Sequence, residues 1–212
     1  MKDMKKIWVL ALLSAVSATV LIVSNIVAVK LWDFWGIAVD GGVVIFPLSY
    51  VLADVIMELY GRKTANFIIS MSFVINIVVA MVFLLVGWLP AYMNWQGQEA
   101  YMAILGFMPR IVVGSLMAYI TSGFLNNWAF NKIKQYTGSS GLWLRALGSS
   151  VVAKLVDNLL FKFIAFLGVI SFSELLLQIG FAYATGLVLE VILTPLTYIL
   201  VRKLKKYEIS SC

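Results

Sequence analysis

Apolar runs close to bilayer-spanning length, separated by short polar or basic segments, make up most of this chain. The first, Ile7 to Val29, carries no charge and stops at Lys30. A second covers Gly41 to Tyr60 and is interrupted only by Asp54 and Glu58. A third extends from Phe67 to Leu89, a fourth from Ile111 to Phe130, a fifth from Ser150 to Val169 and a sixth from Phe181 to Val201. About 20 helical residues cross the hydrocarbon core of a bilayer, so the pattern predicts an all-α membrane protein of six transmembrane helices, residues 1–212 forming a single domain. The basic start (Lys2, Lys5, Lys6) and the small residues Ser14 to Ala18 imitate a secretory signal. The apolar run continues past them to full spanning length, so a retained first helix is expected.

Composition agrees: 62 % of the 212 residues are hydrophobic and 12 % charged, and the mean hydropathy is +0.98. These values exclude a disordered chain and an ordinary soluble core. Six crossings leave no room for a nucleotide-hydrolysing domain. The sequence has no histidine and one cysteine, Cys212, so an internal disulfide is excluded, and neither a metal site nor a cofactor is expected.

The net charge of +6 gains meaning from where the basic residues fall. Twelve of the 16 Lys and Arg lie in the N-terminal tail, the Arg62-Lys63 turn, the segment after the fourth run (Lys132, Lys134, Arg145) and the C-terminal tail. Lys30 and Arg110 stand on the opposite side, and Lys154 and Lys162 fall within the fifth run. The asymmetry predicts an inner-membrane protein with both termini in the cytoplasm, its basic surface meeting anionic lipid rather than nucleic acid. Trp32, Phe34 and Trp35, and later Tyr92, Trp95 and Tyr101, read as interfacial rings in the two outer loops.

Ionisable groups inside the runs carry the chemical information, because each costs roughly 2.5 to 3.5 kcal/mol to insert. Asp54 and Glu58 share a helical face that Arg62 continues, so Glu58 and Arg62 either pair at the membrane boundary or belong to a site. Lys154, Asp157, Asn158 and Phe161 share a face of the fifth helix, where Lys154 and Asp157 can neutralise each other. Glu190 has no basic neighbour at helical spacing in its own helix. Its partner must come from elsewhere, with Lys162 a candidate unless that lysine snorkels, and a carboxyl at such depth suits proton carriage. Asn25 needs partners for its amide, whereas most membrane Ser and Thr bond their own backbone. Pro47 and Pro195 interrupt helices, often beside a cavity. Together these features outline a polar cavity for a small solute. An enzyme is not expected, since no nucleophile and base stand at recognisable spacing.

The order of the motifs resembles the queuosine precursor transporters, also called the vitamin uptake transporter family. The resemblance rests on Ser24-Asn25-Ile26-Val27-Ala28-Val29-Lys30, Phe46-Pro47-Leu48, Asp54, Glu58 and Tyr60-Gly61-Arg62. It continues through Arg110, Ser115, Ala118-Tyr119, Phe130-Asn131, Trp143-Leu144-Arg145, Ser149-Ser150, Asp157, Phe161, Ile164-Ala165-Phe166 and Thr194-Pro195-Leu196-Thr197-Tyr198. It implies a six-helix importer of 7-deazaguanine precursors of queuosine, without an attached ATPase. It also implies a fold similar to the membrane substrate-binding components of energy-coupling-factor transporters. Two positions depart from the pattern: Lys154 stands where an amide or acid is usual, and Thr185 where a lysine is usual, which leaves the carried base open.

The substrate class fits the polar residues. A deazaguanine presents a ring N–H beside an exocyclic amine, a donor pair that a carboxylate accepts, and a carbonyl that needs a donor. Asp157 or Glu190 suits the donor edge, Asn25 or Arg110 the carbonyl, and Phe46 and Phe161 the ring faces. Asp54 or Glu58 would meet an aminomethyl cation on the substrate. The competing reading is a binding subunit served by a separate ATP-driven module, docking on the small residues Ala11, Ser14, Ala15 and Ala18 of the first helix.

Overall fold

The computed structural model describes residues 2–137 and 142–209. Cys212, and the side chains of Lys134 and of Trp143 to Arg145, lie outside that description. The chain is a succession of helices: α1 (Lys2–Val27), α2 (Gly42–Tyr60), α3 (Arg62–Gly87), α4 (Gln98–Ile104), α5 (Met108–Thr137), α6 (Leu142–Phe166) and α7 (Phe172–Ile209). A short hairpin, β1 (Leu31–Phe34) and β2 (Ile37–Asp40), joins α1 to α2. Among the described residues, five segments have the length and composition to cross a membrane: Met4–Val27, Gly42–Tyr60, Arg62–Gly87, Gln98–Ile133 and Phe172–Tyr207. The sixth expected crossing is α6, 25 residues long, and it is the helix that holds Lys154, Asp157 and Lys162. Large apolar side chains such as Val78, Phe124, Val191 and Ile192 are more than half exposed. Such exposure is unfavourable in water and ordinary against lipid tails. The chain is a multi-pass membrane protein.

The boundaries follow from local chemistry. Trp35 and Gly36 both take positive φ, the turn that suits a two-residue hairpin, and the Gly36 N–H donates to Asp33 Oδ1 at 3.0 Å. The aromatic stretch 31–40 is therefore partly a hairpin and not only a row of interfacial rings. Gly61, at φ +84, separates α2 from α3. The start of α7 is a capping box: the Ser171 N–H donates to Glu174 Oε2 at 2.9 Å, and the Glu174 N–H donates to Ser171 Oγ at 3.3 Å. That box starts α7 nine residues before the apolar run beginning at Phe181.

The chain divides into two compact units. One comprises Met1–Trp32, Asp40–Pro109 and Thr185–Cys212; the other comprises Asp33–Val39 and Arg110–Ala184. In the first unit, Val9, Leu13 and Val20 of α1 pack with Val51, Leu52, Val55 and Ile56 of α2, Ala65 and Ile68 of α3, and Val201 of α7. Close approach of α1 to the start of α2 requires glycine. A side chain on Gly41 would run into the Val27 carbonyl, and one on Gly42 would meet Ala28 and the Ser24 carbonyl. In the second unit Gly114 of α5 lies against Phe161 and Ile164 of α6.

Candidate functional site

Each unit holds its own group of membrane-embedded polar side chains. In the first, Pro47, Tyr50 and Asp54 recur at helical spacing along one stripe of α2, next to the stripe that packs into the core. On α7 the corresponding stripe is Gly186, Leu189, Glu190, Leu193, Thr194 and Thr197. These residues, with Val51, line one small, partly open cavity. Asp54 and Glu190 thus line the same cavity. The threonine hydroxyls are engaged with backbone: Thr194 Oγ1 donates to the Glu190 carbonyl at 2.7 Å and Thr197 Oγ1 to Leu193 at 3.4 Å. Phe46 lies one turn from Tyr50, ring edge to face at 5.2 Å, but does not itself line the cavity.

Glu58 also lies outside the cavity. Lys205 Nζ donates to its Oε1 at 2.9 Å, both side chains being roughly half exposed, so Glu58 makes a boundary pair with α7. Exposed pairs of this kind contribute under about 1 kcal/mol. Lys205→Ala is accordingly expected to leave the thermal unfolding midpoint in detergent within a few degrees of the parent chain. A drop of ten degrees or more would contradict the placement of Glu58 in a boundary pair.

Asn25 is 3 % exposed, and its Nδ2 has no hydrogen-bond partner among the described residues. Asn76 on α3 is fully buried, with neither amide atom bonded among the described residues. Buried amides without partners are costly, so both are candidate contacts for a polar solute. Ser72, near Asn76 on α3, donates to its own helix at the Ile68 carbonyl.

The second unit contains Arg110, Asp157 and Phe161. Arg110 donates through Nε to the Ile164 carbonyl at 2.7 Å and through Nη2 to the Leu167 carbonyl at 2.5 Å. It satisfies carbonyls that the end of α6 leaves without helical partners, a structural use that sequence spacing did not reveal. Asp157 Oδ1 accepts from Ser122 Oγ of α5 at 3.1 Å, and Lys154, one turn earlier, acts on it electrostatically. Asn158 donates to the Lys154 carbonyl at 2.9 Å. Phe161 meets Phe166 edge to face at 6.1 Å. Lys162 is 2 % exposed, its ammonium 5.2 and 5.3 Å from the centres of the Phe161 and Phe166 rings. It is therefore held in protein by cation–π contact and does not snorkel.

Asp40 and Gln178 are buried polar residues that the sequence pattern did not single out. Asp40 is 2 % exposed and accepts from the Gly42 N–H at 3.1 Å; the Asp-Gly-Gly string ahead of an apolar run was its signal. Gln178 is fully buried in α7 with neither amide atom bonded among the described residues. Among the described residues no group of three or more His, Cys, Asp or Glu could hold a metal ion.

Repeated membrane crossings with carboxylates and amides inside them mark a carrier of small solutes. Comparison with known proteins assigns the class. The profile of the family described as "Putative vitamin uptake transporter" matches residues 40–200, and the chain belongs to this family. It is similar to a "Probable queuosine precursor transporter" of Bacillus subtilis (strain 168), with 30 % identity over 180 residues, 76 % of this chain and 77 % of the relative. It is also similar to the "Queuosine precursor transporter" of Escherichia coli (strain K12), with 30 % identity over 121 residues, 57 % of this chain and 52 % of the relative. No solved structure matches the chain.

Proposed function

We propose that the chain is an inner-membrane importer of a 7-deazaguanine precursor of queuosine, working as a proton-driven secondary transporter with both termini in the cytoplasm. The observation that carries this reading is the 30 % identity with the Bacillus subtilis relative across three quarters of both chains. The polar groups supply a mechanism. Asp157, in a membrane-embedded helix and bonded by Ser122 through one oxygen, accepts the ring N–H and the exocyclic amine of the base. Phe161, one turn along the same helix, offers an aromatic face.

The coupling step belongs to Asp54 and Glu190. Both carboxylates line one cavity of the first unit, which gives an entering proton two acceptors within the apolar segments. Net entry of one proton along its gradient then accompanies each base.

Purified chain in vesicles without any ATPase tests this. An inward proton gradient is expected to raise uptake of radiolabelled 7-deazaguanine severalfold, and a protonophore to abolish the rise. Glu190→Gln and Asp54→Asn are each expected to leave uptake with no response to the gradient. Gradient-dependent uptake that survives in both variants would remove the pair from coupling. Uptake that appears only with an added ATP-driven module would support the binding-subunit reading instead.

A further inference from the structure

Gln178 is the least expected polar group in the second unit. Its side chain is fully buried and neither its amide nitrogen nor its amide oxygen has a hydrogen-bond partner among the described residues. Native interiors rarely leave an amide so. A leucine of similar size would remove the desolvation cost outright, so the amide's partner is to be sought in a ligand.

Its depth in the unit points to that ligand. Two contacts fix the register of α6 against the first part of α7. The Phe163 and Phe172 rings meet at 6.2 Å, and Tyr183 donates to the Val151 carbonyl at 3.4 Å. The helices are therefore antiparallel, and between those contacts Gln178 stands level with Val156 and Asp157. The α5 residue at this depth is Ser122, which donates to Asp157. One turn further along α7, Phe181 has the ring of Phe34, from the hairpin strand β1, 5.1 Å away. A carboxylate on α6, an amide on α7 and an aromatic pair next to the amide thus occupy one band of a single compact unit.

Carboxylate and amide are complementary to the two halves of one edge of a guanine-type base. The carboxylate accepts from the ring N–H and exocyclic amine, and the amide N–H donates to the ring carbonyl. Arg110, one of the two donors expected for that carbonyl, already bonds two backbone carbonyls. We infer that Gln178 is a substrate-binding residue that donates to the 6-oxo group of a deazaguanine whose donor edge is held by Asp157. The inference rests on the proposed function. It adds a prediction of its own: the site selects a 6-oxo base over analogues with a weak acceptor at that position.

The test is equilibrium binding to the purified full chain in detergent, with 7-deazaguanine and its 6-thio analogue as probes. The thio compound keeps both donors and weakens only the acceptor. The parent chain is expected to prefer the oxo base about tenfold, the usual consequence of losing one good buried hydrogen bond. Gln178→Leu is expected to bind the oxo base about tenfold more weakly and to lose the preference, while its unfolding temperature stays level or rises. Gln178→Met, unbranched like glutamine, is expected to behave the same way, which guards against a leucine that packs badly.

Variants that keep both affinity and preference would overturn the role of Gln178 while leaving the transporter reading intact. Lower unfolding temperatures in both variants would also overturn it, by showing that the amide is bonded within the protein. Failure of the parent chain to bind either base would overturn the proposed function and this inference together.

Discussion

Asp157→Asn is expected to lower uptake of the deazaguanine about 10- to 100-fold at an unchanged level of chain in the membrane. In the proposed site the carboxylate accepts two hydrogen bonds from the base, and bonds to a charged group contribute about 1.5 to 3 kcal/mol each. The asparagine amide keeps one acceptor but turns an N–H toward the other substrate donor, so one bond is lost and one clash of donors is gained. Ser122 Oγ, 3.1 Å from Asp157 Oδ1, can still bond the amide oxygen, which is why folding should survive. Uptake assayed beside immunodetection of the membrane-inserted chain separates the two effects. Unchanged uptake at normal level would remove Asp157 from the site.

Arg110→Met is expected to act in the opposite way, through the fold. Its guanidinium bonds the Ile164 and Leu167 carbonyls where α6 ends and the chain turns, through Gly168 at φ +81, toward α7. Removing it strips two carbonyls of charged donors at the membrane boundary, a loss of about 2 to 3 kcal/mol after allowance for partial exposure. The variant should accumulate poorly and unfold at a markedly lower temperature, and its folded fraction should bind substrate with parental affinity. Arg110→Lys reaches one carbonyl at best and should fall between. A stable Arg110→Met chain that has lost binding would place the residue in contact with substrate instead.

Much of the architecture was legible because hydrocarbon is so unforgiving a solvent. A long uncharged run suits little besides a membrane crossing, and α1, α2 and α3 coincide with the first three runs within a few residues. Two kinds of feature were hidden. The hairpin 31–40 is built from aromatic and aliphatic residues that also suit a membrane interface, so composition could not separate strand from interfacial loop. The beginning of α7 was missed because hydropathy is diluted by Ser171, Ser173, Glu174 and Gln178, although the Ser-x-x-Glu capping box was present to mark the true start. That displaced boundary left Gln178 outside the membrane, and with it a residue now central to substrate reading.

The candidate site was legible as a set of residues and not as an arrangement. Rarity of charge in apolar runs singled out Asp54, Asp157 and Glu190. That Asp54 and Glu190 share a cavity depends on the packing of α2 against a distant part of the chain, which no local period encodes. Glu58 and Arg110 show the converse. Both were conspicuous as charges near membrane ends, and both are engaged in bonds that hold elements together, Glu58 with Lys205 and Arg110 with the end of α6.

The central claim, that this chain brings a queuosine precursor into the cell, is most directly tested by the queuosine content of tRNA. The measurement is made in a bacterial strain lacking both its own importer and its own precursor synthesis, expressing this chain and fed 7-cyano-7-deazaguanine, 7-aminomethyl-7-deazaguanine or queuine in turn. Restored queuosine with at least one base, absent without the chain, is the predicted result. No restoration by any of the three, with the chain detected in the membrane and downstream incorporation shown to work with a known importer, would contradict it.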